Sequence, residues 1–176
     1  KSIGDWSQDN KSVVWLLLDN PGGKDGIYGA SFDSLDKPFF LAESNAEFDL
    51  PRFSPDGRWI AYVSDTFGQA DVFVRRFTSQ SAAPLKASAG GGHNPRWSRD
   101  GRHLFYRTDD WKLMRMSVSG TEEIRLGKPE MLMQLPQDAD FEISNDNRFL
   151  VSSPNGRLVS PLMVVANWHP EAFASR

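Results

Sequence analysis

Apolar residues along the chain fall in short clusters: Val13-Val14-Trp15-Leu16-Leu17, Trp59-Ile60-Ala61-Tyr62-Val63, Leu104-Phe105-Tyr106 and Phe149-Leu150-Val151. Polar and turn-forming residues bound each of them. Runs of this length predict strands whose two faces are both covered. Each run is preceded by a polar turn, and each turn by an apolar anchor: Trp6, Phe53, Trp97 and Ile143, spaced 47, 44 and 46 residues apart. A further polar loop and a third strand follow, around Ile27-Tyr28, Val72-Phe73-Val74 or Leu113 to Met116. A fourth strand is expected around Phe39 to Leu41, Pro84 to Lys86 and Met131 to Met133. The last unit offers Leu162 to Trp168 as its third strand and no fourth. Lys1 to Gly4 are too few for a full innermost strand in the first unit, so both ends are expected to be open. Only the tail after Trp168 has the pattern of a short helical turn.

A repeat of this length, with several short strands per unit, is the signature of sheets stacked as propeller blades. The expected fold class is therefore all-β, a partial β-propeller of about four blades whose last blade lacks its outer strand. One domain over 1–176 is expected, with blades near 1–46, 47–90, 91–137 and 138–176. The turns have a mechanical reason. In Ser54-Pro55-Asp56-Gly57, Pro sets φ for the second position, Asp bonds locally and Gly supplies a left-handed residue. Asp100 and Gly101 repeat the arrangement, and Asn10 and Asn147 are expected to stand in for the glycine. Asp56, Gly57, Asp100 and Gly101 are accordingly read as structural turn residues.

Composition narrows the function. The chain has 176 residues, 39% of them hydrophobic, and a net charge of −3 from mixed signs. It offers no broad cationic face, so no nucleic-acid partner is expected. The longest apolar stretch, Val13 to Leu18, is far short of a helical membrane span, so no membrane insertion is expected. The absence of cysteine excludes disulfides and thiolate metal sites.

The units "FSPDGRWIAY" and "WSRDGRHLFY" resemble the WD-like β-propeller repeats of TolB-type proteins. The order "KPFFLAES", "PRFSPDGRWIAYVSD", "GGGHNPRWSRDGRHLFYR", "KLMRMSV", "LMVVANW" is similar to the C-terminal part of TolB-like propellers attached to bacterial serine/threonine kinases or regulators. Gln8-Asp9-Asn10 and Asn145-Asp146-Asn147 depart from the Pro-Asp-Gly pattern. Propellers of this type usually have six or more blades, so the resemblance implies a C-terminal segment of a longer one. It implies a non-catalytic module that recognises a protein or peptide partner, in an extracytoplasmic (periplasmic) location. Two alternatives stand beside it: an accessory propeller of a peptidase or saccharide-processing enzyme, and a purely structural assembly module. Open blade faces would favour self-association.

Candidate chemistry is sparse. Arg52 and Arg96, beside the anchors Phe53 and Trp97, are placed to face a central channel. The loop "AGGGHNPRWS" brings an imidazole to the start of an inner strand, so His93, Asn94, Arg96 and Arg52 form the expected ligand-binding set. The basic residue after each turn (Lys11, Arg58, Arg102, Arg148) recurs and is read as structural. Trp6, Trp15, Trp59 and Trp97 are read as blade packing rather than a sugar platform. "SPDGRW" misses the spacing of a sialidase Asp-box by one residue. His93, His103 and His169 have no zinc-ligand spacing, and His103 is expected at the surface. No nucleophile elbow, calcium loop or phosphate loop occurs, so no catalytic residue, metal or cofactor is expected.

Overall fold

The computed structural model describes residues 2–44, 51–66, 68–78, 83–144, 148–152 and 163–165. Asn147, His169 and the turn expected after Trp168 lie outside the described residues. Fifteen strands in chain order make four antiparallel meanders among those residues. Sheet 1 holds β1 (Ser2–Trp6), β2 (Ser12–Leu17), β3 (Gly26–Ser31) and β4 (Phe39–Glu43). Sheet 2 holds β5 (Arg52–Phe53), β6 (Trp59–Ser64), β7 (Asp71–Arg76) and β8 (Leu85–Lys86). Sheet 3 holds β9 (His93–Trp97), β10 (His103–Arg107), β11 (Lys112–Ser119) and β12 (Arg125–Gln134). Sheet 4 has three strands, β13 (Asp140–Ile143), β14 (Phe149–Ser152) and β15 (Met163–Val165). The all-β architecture of stacked four-stranded units is the one expected. One expectation fails: residues 1–4 are not too few for an inner strand. β1 pairs with β2 from Ser2↔Leu16 to Trp6↔Val13, because a bulge after Ile3 carries the strand past Gly4.

The sheets lie face to face, with one apolar cluster at each junction. Val14, Leu16, Ile27 and Leu41 of sheet 1 meet Phe53, Ile60, Tyr62, Phe73 and Phe77 of sheet 2. Ala61, Val63, Val72 and Val74 on the other face of sheet 2 meet Leu104, Tyr106, Met116 and Ile124 of sheet 3. Phe105, Leu113 and Leu132 of sheet 3 meet Phe141, Phe149 and Val151 of sheet 4. Alternate residues of one strand thus serve alternate junctions, as the pleat requires. Ile60 and Tyr62 face backward; Ala61 and Val63 face forward. At the first junction Gly29 makes the close approach possible: a β-carbon there would meet the Phe77 ring at 2.6 Å and Leu41 at 3.1 Å.

The turns between first and second strands share one device. Ser54 Oγ donates to Asp56 Oδ1 (2.5 Å) and accepts from Trp59 N (3.0 Å), while Arg58 N donates to Asp56 Oδ1 (3.1 Å). Ser98 with Asp100 and Ser7 with Asp9 repeat every one of these bonds. Gly57 and Gly101 sit at φ 69° and Asn10 at φ 56°, in the left-handed region the turn demands. The first turn therefore matches the other two despite losing Pro and Gly, because Ser7 and Asp9 carry the bonding. In sheet 4 the turn is one residue shorter: Ser144 N donates to Arg148 O, whereas Ser98 N donates to His103 O. Arg148 thus occupies the register of His103, one place on from the repeated Lys11, Arg58 and Arg102.

The anchors differ in what covers them. Phe53 is 6% exposed, packed on sheet 1, and Trp97 and Ile143 pack likewise on the sheets before them. Trp59 is also buried, and Trp15 stacks on Tyr28 with ring centroids 6.1 Å apart. Trp6, at the same register as Phe53, is 62% exposed and does not pack in a core as expected. The reason is positional: its face of sheet 1 has no preceding sheet among the described residues. Leu150, on the far face of sheet 4, is 38% exposed for the corresponding reason.

These equivalent anchors should separate in a stability measurement. Phe53→Ala is expected to cost about 3–5 kcal/mol in urea unfolding, whereas Trp6→Ala should change stability by less than about 0.5 kcal/mol. Equal costs would show that Trp6 packs as Phe53 does.

Candidate functional site: the axial cavity

The residue immediately before each anchor sits on an innermost strand, so the repeat stacks Asp5, Arg52, Arg96 and Glu142 in one row. All four line a cavity of about 390 Å³ at the turn end of the inner strands, together with Arg99, Gln8 and Ser98. The row joins neighbouring sheets. Arg52 Nη1 donates to Gly4 O (2.8 Å) and Phe53 N donates to Asp5 Oδ2 (3.0 Å), tying sheet 2 to sheet 1. Trp97 Nε1 donates to Arg52 O (3.2 Å), tying sheet 3 to sheet 2. Arg96 donates to Glu142 from both Nε (2.8 Å) and Nη2 (2.5 Å), the forked geometry that suits guanidinium and carboxylate. Its Nη1 donates to Pro95 O (3.0 Å).

The two arginines therefore differ. Arg96 is engaged on all three nitrogens. Arg52 makes one hydrogen bond, its Nε is buried without an acceptor, and no carboxylate oxygen among the described residues lies within 4.0 Å of it. Burial and then the like charge of Arg96 hold its guanidinium below arginine's usual range, against the pull of Asp5 and Glu142. It stays protonated at neutral pH regardless. Burial raises the Asp5 carboxyl, and the amides of Phe53 and Trp6 and the charge of Arg52 only partly offset this. Burial acts the same way on Glu142, but there the hydrogen bonds and charge of Arg96 prevail and the carboxyl lies below its ordinary value.

The expected ligand set divides between the two ends of the inner strands. Arg52 and Arg96 come together at the cavity. His93 and Asn94 begin β9 at the opposite end and do not line it. Asn94 is buried at φ 50°, and its amide donates to Phe141 O (2.9 Å) and to Asp140, tying sheet 3 to sheet 4. His93 Nε2 lies 2.7 Å from Asp109 Oδ1, and Gln69 donates to the other oxygen of Asp109 at 3.1 Å. Asp56, Gly57, Asp100 and Gly101 are in the turns, with Arg58 paired to Glu122 (2.8 Å) of the loop between β11 and β12. His103 is half-buried and lines, with Trp59 and Trp97, a second cavity of about 800 Å³ between sheets 2 and 3. Sequence reasoning missed Asp5, Glu142 and Arg99. The signal for the first two was available, since each directly precedes an anchor, as Arg52 and Arg96 do.

Comparison with known proteins now places this geometry. No family model matches the chain. The Tol-Pal system protein TolB of Alcanivorax borkumensis is 34% identical over 65 residues, which are 36% of this chain and 15% of that protein. The crystal structure of TolB from Acinetobacter baumannii superposes with a TM-score of 0.68 at 15% identity, over 89% of this chain and 38% of that one. This chain is related to the TolB-like β-propellers. A structure assigned to TolB from Agrobacterium tumefaciens gives 0.58 at 25% identity, over 76% of this chain and 49% of that one. The β-propeller domain of the Trilobed protease from Pyrococcus furiosus, described as having an open velcro topology, gives 0.55 at 15% identity, over 93% and 52%. The four sheets are thus TolB-like blades, and the row from Asp5 to Glu142 lines the axial side of the arc. The chain spans well under two thirds of each of these proteins.

The Arg96–Glu142 pair makes a pH prediction. A carboxyl lowered in the folded state stabilises fully above its ordinary value of 4.5 and loses that contribution as pH falls through the lower folded value. Unfolding free energies of the wild type and Glu142→Gln should therefore differ at about pH 7 and converge toward about pH 3. A constant gap would mean that the pair adds nothing through ionisation.

Proposed function

We propose that this chain is a non-catalytic binding module, a portion of a larger TolB-like propeller, that receives a protein or peptide partner over the axial cavity. The observation that carries this reading is the state of Arg52: a half-buried guanidinium lining an open cavity, with one hydrogen bond from its five donors. A partly desolvated guanidinium with no carboxylate among the described residues in direct contact is less favourable in the isolated chain than in a complex that supplies one. The surrounding wall is built from inner strands that are hydrogen-bonded across each junction, which lowers the ordering cost of binding. The solved TolB structures support the reading by resemblance of fold, and an extracytoplasmic location is part of the same proposal. Attachment to a kinase or regulator belongs to this proposal as well.

A second reading, assembly between copies, is favoured by the open faces. Trp6 on the first blade and Leu150 on the last are exposed where the equivalent interior positions are covered. In that reading the last blade of one copy covers the first blade of another, a head-to-tail contact that can close a ring.

Two experiments separate the readings. A photo-crosslinking residue at Gln8, on the cavity rim, should give a discrete adduct in cells that Arg52→Ala abolishes, while one at Lys128 on the outer strand β12 should give none. Adducts of equal yield at both positions would overturn the cavity reading. Light scattering should show a multimer that Trp6→Glu reduces to a monomer if copies assemble. A monomer for the wild type at high concentration would remove the second reading.

A further inference from the structure

The cavity's own charges define what it can receive. Arg52, Arg96 and Arg99 line it against the carboxylates of Asp5 and Glu142, which leaves one formal positive charge. The positive excess is localised. Glu142 is engaged by Arg96 through both oxygens, and the Asp5 oxygens are taken by the backbone N–H groups of Trp6 (2.9 Å) and Phe53 (3.0 Å). Arg52 and Arg99 remain, and among the described residues neither has an ion pair. Arg52 comes from β5 and Arg99 from the turn after β9, so the two cations reach the cavity from adjacent blades. Arg52 is held in place by its bond to Gly4 O, while the exposed Arg99 can move to meet a ligand.

We infer that the axial cavity is a carboxylate site, in which Arg52 and Arg99 together hold a single carboxylate group of a protein partner, from an Asp or Glu side chain or a chain terminus. A carboxylate accepts two parallel N–H bonds from one guanidinium face, and it answers the one excess positive charge. A phosphate dianion would leave the cavity negative beside Asp5 and Glu142, so the site discriminates against it. Arginine suits the site better than lysine, because an ammonium has no planar fork to present to a carboxylate. This inference rests on the binding reading above and adds the chemistry of the group recognised.

The test uses the full chain and defined peptides, followed through the Arg52 Nε–H resonance. Acetyl-Gly-Glu-Gly-amide should shift that resonance saturably, and acetyl-Gly-Gly-Gly with a free C-terminus tells whether a terminal carboxylate serves as well. Acetyl-Gly-Gln-Gly-amide and inorganic phosphate should each bind at least about tenfold more weakly, in keeping with the worth of a charge-assisted bidentate bond. With binding read in the variants from the backbone amide shifts of Ser98, Arg99 and Glu142 around the cavity, Arg52→Gln should abolish the saturable response with the dispersed amide spectrum otherwise preserved, and Arg52→Lys should restore it only in part. Equal affinity for the Glu and Gln peptides, or tighter binding of phosphate, would overturn the inference and leave the binding reading intact. Carboxylate binding at Arg52 without any cavity crosslink in cells would overturn the binding reading and leave the carboxylate chemistry standing.

Discussion

Every blade of this chain is a sheet with two apolar faces, and a sheet of that kind is stable only when each face is covered. The whole structure follows from that constraint. The alternation along β6, with Ile60 and Tyr62 turned one way and Ala61 and Val63 the other, commits sheet 2 to two neighbours at once. Each interior neighbour is committed in the same way, which carries the stack from sheet 1 to sheet 4. Trp15 on Tyr28 repeats the buried pair of Tyr62 on Phe73 one blade earlier, at centroid distances of 6.1 and 5.9 Å. The first pair is half-buried on an open face, and the second is covered. The same side-chain arrangement thus has different surroundings only because of its place in the arc.

Stacking of this kind also creates the site. Residues one repeat apart, which are far from each other in sequence, come to the same height on adjacent inner strands. A single register position therefore yields Asp5, Arg52, Arg96 and Glu142 side by side, although no local motif joins them. The hydrogen bonds that cross each junction use this register: Arg52 to Gly4, Trp97 to Arg52 and Asn94 to Phe141 span 48, 45 and 47 residues. Packing brings the blades together and these polar ties join their inner strands, so the cavity wall is a product of the core.

Much of the fold was legible because repetition amplifies a weak local signal. Four occurrences of Ser-x-Asp before an apolar run say more than any one strand does. The less legible parts were those without an internal copy to compare. β1 looked too short because a bulge is invisible in the apolar pattern, and the turn at Ser144 looked equivalent because one missing residue does not disturb the spacing of anchors. Trp6 was read as core because its register equals that of Phe53; sequence shows register but not whether a covering sheet exists. At the site, Arg52 and Arg96 are legible from their anchors, whereas Asp5 and Glu142 hold the same register in the two units whose turns depart from Pro-Asp-Gly, and no local motif marks them. That loop proved to place Asn94 as a tie between blades and His93 against Asp109, away from the cavity.

The central claim is that consecutive meanders pack face to face in chain order around one axis. Nuclear Overhauser contacts between aromatic rings test it most directly, since they report distance across a junction without perturbing it. The account predicts contacts between Phe39 and Phe77, whose centroids lie 5.2 Å apart across the first junction, and between Phe105 and Phe149, 5.1 Å apart across the third. Absence of both, with contacts instead joining rings of the first sheet to rings of the third, would contradict the stacking order and everything built on it.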